Sequence, residues 1–138
     1  MSVRAFFDTN IFICLYSEDE DIKRDAAYRV LNNYDCITST QALNEASNVW
    51  CKISWGKNKI EEHINNIEKI CDELMIIQKK TILNALDLKF RYGYSYYDCL
   101  MLASALESAC DIILTEDMSE GQIIENRLRI VNPFKEIL

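Results

Sequence analysis

Four acidic residues of this chain stand where solubility alone does not ask for acids, and as a set they suit divalent-cation chemistry. Asp8 ends the run Val3-Arg4-Ala5-Phe6-Phe7, and Asp117 follows Asp111-Ile112-Ile113-Leu114-Thr115-Glu116. Both positions lie past the carboxyl end of an apolar strand-like run, where open parallel sheets bind their ligands. The plain alternative for each is a helix cap, a role that strand-to-helix loops often give to Asp. Asp98 lies in Tyr96-Tyr97-Asp98-Cys99-Leu100-Met101-Leu102-Ala103, a helical stretch apolar nearly all round and so expected to be buried. Its carboxylate is accounted for either by the helix dipole and a box with Ser95 or by a shared site. Glu45, within Ala42-Leu43-Asn44-Glu45-Ala46, reads on its own as a solvated helical residue.

The four gain meaning if two strand ends and two helix starts meet at one edge of a sheet. Carboxylates crowded in a poorly screened pocket repel one another by several kcal/mol per close pair, roughly, raising their pKa values or opening the edge. A divalent cation relieves that repulsion. Hard oxygen donors select Mg²⁺, with Mn²⁺ as the alternative, over zinc. Such a centre activates water for in-line attack on a phosphodiester and stabilises the departing oxygen.

Asp8-Thr9-Asn10, Gln41-Ala42-Leu43-Asn44-Glu45, Tyr97-Asp98-Cys99-Leu100-Met101-Leu102-Ala103-Ser104-Ala105 and Leu114-Thr115-Glu116-Asp117-Met118 follow in this order. They resemble the PIN-domain family, and in particular the stand-alone VapC-like toxins of bacterial toxin–antitoxin pairs. The resemblance extends over essentially the whole chain, including the intervals between acids. It implies a Mg²⁺-dependent endoribonuclease, a homodimer, and a cognate antitoxin that silences it. It also implies roles: Asp8 and Asp98 as the firmest metal ligands, Asp117 completing the site, and Glu45 binding metal or orienting water. Thr9, Asn10 and Thr115 match polar positions that hold those carboxylates in place. At the fourth acid Glu116, Asp117 and Glu120 compete, and Asp117 is chosen by its two-residue distance from Thr115.

The elements that must position these residues are legible from periodicity. Strands are expected at Val3–Phe7, Asp35–Ser39, Leu74–Ile77, Asp111–Leu114 and Arg129–Val131. Helices are expected at Asn10–Tyr16, from the acidic patch Glu18–Asp21 to about Leu31, and along Leu43, Ala46, Val49 and Trp50. Thr38 and Gln41 are spaced as a capping box for the last of these. Gly56 marks a break, after which Ile60, Ile64, Ile67 and Cys71 recur at helical spacing. Thr81–Arg91 stops at Gly93 in a left-handed cap, and Tyr96–Ser108 follows. Alternation of this kind predicts a three-layer α/β/α sandwich around a mostly parallel sheet of about five strands. With one Pro and three Gly there is little room for a linker, so residues 1–138 read as a single domain.

Composition bounds the partners. A net charge of −7 argues against broad nonspecific nucleic-acid binding, which needs basic surface. It leaves a nuclease open, because metal ions reverse the local sign in an acidic centre, and it suits a basic protein partner. Six cysteines without a C-x-x-C pair, and a lone His63, point to reduced core thiols and leave no material for structural zinc or a histidine-based triad. No stretch approaches the roughly 18 apolar residues of a membrane span or shows a signal peptide, so a cytoplasmic location is expected.

Other residues have plainer readings. Tyr92, Tyr94, Tyr96 and Tyr97 suit packing or a dimer interface better than base stacking. Of Trp50 and Trp55, one is expected in the core and one half-exposed, the alternative being a groove for an antitoxin segment. Lys52, Lys57 and Lys59 read as a solvated turn. Two other classes share the fold and an acidic pocket. A phospho-accepting receiver needs paired acids after its first strand and a lysine just before a proline, yet Thr9 and Asn10 follow Asp8, and Lys135 comes after Pro133. A haloacid-dehalogenase-type phosphatase needs Asp-x-Asp, where position 10 is Asn. A PIN fold that only binds is the third alternative, against which the presence of all four acids argues.

Overall fold

Short apolar runs bounded by polar residues form the strands, and longer runs of 3.6 periodicity form the helices that cover them. The computed structural model describes residues 2–135. In chain order the elements are β1 (Arg4–Phe7), α1 (Thr9–Leu15), α2 (Asp21–Asn33), β2 (Asp35–Ser39), α3 (Thr40–Lys52) and α4 (Lys57–Ile70). There follow β3 (Glu73–Met75), α5 (Lys79–Tyr92), α6 (Tyr96–Glu107), β4 (Ile112–Leu114), β5 (Ile123–Ile124) and β6 (Leu128–Val131).

The sheet order is β3-β2-β1-β4-β6-β5, with every pairing parallel except β5 against β6. Strand order reverses direction between β1 and β4, which opens a crevice at their carboxyl ends. Register carries one buried row straight across the centre: Ile37 opposite Phe6, Phe6 opposite Ile113, Ile113 opposite Ile130. That row packs under α5 and α6. The opposite face, with Phe7 and Leu114, packs under α1, α2, α4 and part of α3, where Phe12, Trp50 and Phe134 fill the space. Helices therefore cover both faces, as the alternation predicts. The run Cys99–Ala105 of α6 is buried throughout, in keeping with its all-round apolar sequence.

Three details depart from expectation. The sheet has six strands among the described residues, because β5, only two residues long, adds an antiparallel edge. The turn between β5 and β6 takes positive φ at Glu125 and Asn126 (51° and 59°) and is closed by the Arg127 N–H on the Ile124 carbonyl at 3.1 Å. The third strand starts and ends earlier than Leu74–Ile77, and Ile76 lies outside it, exposed. The cap of α3 is Ser39, whose hydroxyl accepts from the Ala42 N–H at 3.4 Å. Thr38 instead ends up buried in β2 and donates to the Phe7 carbonyl at 2.9 Å, while Gln41 bonds Glu45 one turn along the helix.

All six thiols are free, and the Sγ atoms of Cys36 and Cys71 are hydrogen-bonded at 2.9 Å. Gly93 ends α5 with φ of 81°, the left-handed cap its position implies. No described helix is long and apolar enough to cross a membrane.

Candidate metal centre

β1 delivers Asp8 to the crevice. The sheet hydrogen bond continues one residue past the strand, from the Asp8 N–H to the Leu114 carbonyl at 3.1 Å, so Asp8 is fixed against the neighbouring strand end. Its side chain also caps α1, accepting from the Thr9 N–H at 2.7 Å. The cap and the shared site therefore coexist in one residue. Asp8 is only 5% exposed.

β4 delivers Thr115, whose hydroxyl donates to Asp8 Oδ2 at 2.7 Å. Thr115 Oγ1 in turn accepts from the Asp117 N–H at 3.2 Å. One buried hydroxyl thus fixes one carboxylate and the backbone that carries another. Asp98 enters from the first turn of α6, its N–H donating to Ser95 Oγ at 3.2 Å.

Carboxylate oxygens of Asp8, Asp98 and Asp117 all lie within 4.8 Å of one another. Three carboxylates gathered at one place offer the hard oxygen donors that a cation such as Mg²⁺ takes. The donor set fits Mg²⁺ or Mn²⁺, and it contains no nitrogen or sulfur ligand of the kind zinc prefers. Glu45, half-buried on α3, stands outside this group of three at its rim. The charges of Asp98 and Asp117 still reach its carboxyl.

The electrostatics are those of acids short of a counter-charge. Burial pushes the Asp8 carboxyl up to about 7, while the Thr115 hydroxyl and the Thr9 N–H pull the other way and the charges of Asp117 and Asp98 add to the rise. Asp98 is raised by burial, partly offset by Ser95, with Asp117 raising it further. Glu45 is raised by burial, offset in part by the Gln41 amide, which donates to it at 3.2 Å.

The competing acids are engaged elsewhere. Glu116 accepts from the Asn10 side-chain amide and pairs with Lys23 Nζ at 3.6 Å. Glu120 accepts from the Asn132 N–H. Among the three candidates, Asp117 is the one whose carboxylate joins Asp8 and Asp98.

The supporting residues divide in the same way. Thr115 sits against Asp8, as the resemblance implies. Asn10 holds Glu116 rather than one of the clustered aspartates. Thr9 contributes its backbone N–H, and its buried hydroxyl has no hydrogen-bond partner among the described residues. Gln41 was not read as a site residue, although its i,i+4 spacing to Glu45 on a helix was the available signal. Tyr92 and Tyr94 tie the β5 region down, their hydroxyls accepting from the Glu125 and Ser119 N–H groups. Trp50 is buried and stacks on the half-exposed Trp55 at 5.0 Å.

The acidic centre thus lies at the switch point of a parallel sheet, fed by two strand ends and a buried helix. The PIN-domain family model matches residues 5–119, and the chain belongs to that family. No curated protein matches it in sequence. Among solved structures it is similar to a toxin–antitoxin complex from Klebsiella pneumoniae, at 21% identity and a TM-score of 0.71, covering 94% of this chain and 97% of that one. It is also similar to VapBC2 from Rickettsia felis bound to a promoter DNA fragment, at 16% identity and a TM-score of 0.69, covering 94% and 98%. A third is VapC20 of Mycobacterium tuberculosis, described as a sarcin-ricin loop cleaving toxin, at 14% identity and a TM-score of 0.63, covering 79% and 86%. At these identities the likeness is one of fold. The family closes the receiver and phosphatase readings.

Proposed function

We propose that this chain is a Mg²⁺-dependent endoribonuclease, a single nuclease domain that acts as the toxin of a toxin–antitoxin pair. The observation that carries the reading is the convergence of Asp8, Asp98 and Asp117 at the sheet's switch point, with acids whose burial and crowding leave them in want of a cation. Asp8, Asp98 and Asp117 would hold Mg²⁺, or Mn²⁺ in its place. When bound, the ion polarises a phosphate oxygen and supplies the positive charge that this acidic protein lacks. Thr115 and the Thr9 N–H keep Asp8 aimed.

Glu45, raised above the usual carboxylate range and standing at the rim, orients the attacking water and takes its proton. The water oxygen bonds to phosphorus in line with the departing sugar oxygen, which leaves with the electron pair of the broken bond and takes up a proton from solvent. Toxin–antitoxin assembly is supported by the kinds of protein whose fold it shares. A net charge of −7 suits a small basic antitoxin, and a homodimer completes the reading.

The test is cleavage of single-stranded and hairpin RNA by the purified chain with Mg²⁺, with Mn²⁺, and with EDTA. Internal cuts that need the metal and vanish in Asp8→Asn are expected. An intact RNA ladder with metal present, from a folded and antitoxin-free preparation, would leave only the binding-module reading.

A further inference from the structure

Glu45 has a second neighbourhood. Beside the acids, a cleft of about 330 Å³ is lined by Gln41, Asn44, Glu45, Asn48 and Tyr97. Four of these lie on α3 at i, i+3, i+4 and i+7, so they form one face of that helix. The fold does not ask for them. The buried stripe of α3 is Ala42, Ala46 and Trp50, and Asn is a poor choice for a helix interior, because its side chain competes for backbone hydrogen bonds.

Two asparagines one turn apart therefore sit mid-helix against local preference. Both are exposed, and among the described residues neither side-chain amide bonds another residue, so each is accessible to a ligand in the cleft. Tyr97, from α6, is 59% exposed, with the Tyr96 ring set edge-on against it at 5.5 Å. It is also the residue next to Asp98.

The chemistry of this lining is particular. It contains no lysine or arginine, so it is unsuited to gripping a phosphate. Side-chain amides offer adjacent donors and acceptors that match the edge of a nucleobase, and an exposed aromatic ring offers a platform for its face. Such a platform reaches only an unpaired base.

We propose that this cleft seats one unpaired base of the RNA beside the phosphate to be cut, its face on Tyr97 and its edge read by Asn44 and Asn48. The inference rests on the nuclease reading and narrows it. The substrate is a single-stranded or looped segment, and base identity is sensed at the position held against Glu45.

Two measurements on the whole chain test this. In the first, an RNA pool with a randomised loop is cut by the wild type, Tyr97→Ala, Tyr97→Phe and the double variant Asn44→Ala/Asn48→Ala, and the cut sites are sequenced. In the second, a short single-stranded RNA carrying 2-aminopurine is titrated into Asp8→Asn protein, with and without the same changes, and base fluorescence is followed.

Tyr97→Ala is expected to weaken binding roughly 5- to 100-fold, the range that removing one stacking platform costs, and to abolish quenching, with Tyr97→Phe restoring both. The asparagine pair is expected to keep the quenching and flatten the base preference at one position. An unchanged cut pattern together with unchanged quenching in these variants, each with a wild-type melting curve, overturns the cleft. So does loss of antitoxin capture in the variants while the cut pattern stands, since the face is then a protein-docking surface. Quenching by a wild type that cuts no RNA would leave the base site intact and sink the nuclease reading alone.

Discussion

The Thr115 hydroxyl donates to Asp8 Oδ2 at 2.7 Å, joining residues 107 positions apart at the one place where strand order reverses. The bond makes the aim of Asp8 depend on β4. It also lowers the proton affinity of Asp8 against the opposing effect of burial. Thr115→Val, close in size but without the hydroxyl, should therefore weaken Mn²⁺ or Mg²⁺ binding by about 10- to 100-fold, the usual cost of losing a group that orients a metal ligand. Isothermal titration calorimetry measures this, and Thr115→Ser should recover most of the loss. Equal affinity in the valine variant would mean that Asp8 needs no such support.

Asp8 also makes metal-free stability depend on pH. Its folded-state pKa of about 7 lies above the ordinary value of 3.8. Between these values the folded protein holds a proton that the unfolded chain has released, so stability falls as pH rises from about 4 to about 7 and is level beyond. At about 1.4 kcal/mol per unit, the loss amounts to at most roughly 4 kcal/mol. In EDTA, Asp8→Asn, which can still cap α1, should unfold at a higher temperature than wild type at pH 8 and lose that advantage at pH 4. Added Mg²⁺ should stabilise the wild type only. Parallel melting curves across this range in both proteins would remove Asp8 as a strained acid.

The neighbouring acids give a sharper contrast. An Asp117 carboxylate oxygen lies within 4.8 Å of oxygens of Asp8 and Asp98, while Glu116 is held by Asn10 and Lys23 and Glu120 by the Asn132 N–H. Asp117→Asn should lower Mg²⁺-dependent cleavage by about 100-fold or more, an effect of the size seen when charge stabilisation at a reacting phosphate is lost. Glu116→Gln and Glu120→Gln should stay within a few-fold of wild type. Initial rates on one RNA substrate at saturating Mg²⁺ decide it, and the reverse ranking would move the fourth acid to Glu116 or Glu120.

The parts of this fold that were legible in sequence are those where local pattern and burial agree. The row of Ile37, Phe6, Ile113 and Ile130 comes from strands whose apolar runs are short and sharply bounded, and α6 betrays its burial by having no polar face. β5 was not legible, because two residues carry no periodicity and its turn uses Glu125 and Asn126 at positive φ where Asn-Gly or Asp-Gly would have been the signal. The cap of α3 was misplaced by one residue because Thr38, Ser39 and Thr40 are all competent caps, and only the Phe7 carbonyl decides that Thr38 faces inward. Among the acids, the aspartates could be placed by their position at element ends. The choice of Asp117 over Glu116 and Glu120 rests on its two-residue distance from Thr115, whose hydroxyl accepts from the Asp117 N–H. The partners that hold Glu116 and Glu120, namely Asn10, Lys23 and Asn132, are not visible from spacing along the chain.

Glu45 carries the last prediction, because its surroundings separate a proton acceptor from a metal ligand. It stands outside the group of three whose oxygens lie within 4.8 Å of one another. Its carboxyl is nevertheless raised by burial and by the charges of Asp98 and Asp117, while the Gln41 amide holds it down. A cation held by the aspartates would supply their counter-charge, so at saturating Mg²⁺ the acidic limb of the rate profile is expected to report Glu45. Glu45→Gln should erase that limb and lower the single-turnover rate by roughly 10²- to 10⁴-fold, the range for a lost general base, with Mg²⁺ affinity changed little. Gln41→Ala removes the bond that favours the ionised form and should move the limb to higher pH. Calorimetric Mg²⁺ titration beside the pH profile keeps the two roles apart. A Glu45→Gln protein that loses Mg²⁺ affinity as Asp98→Asn does would make Glu45 a ligand, and one that keeps the acidic limb would take it out of proton transfer.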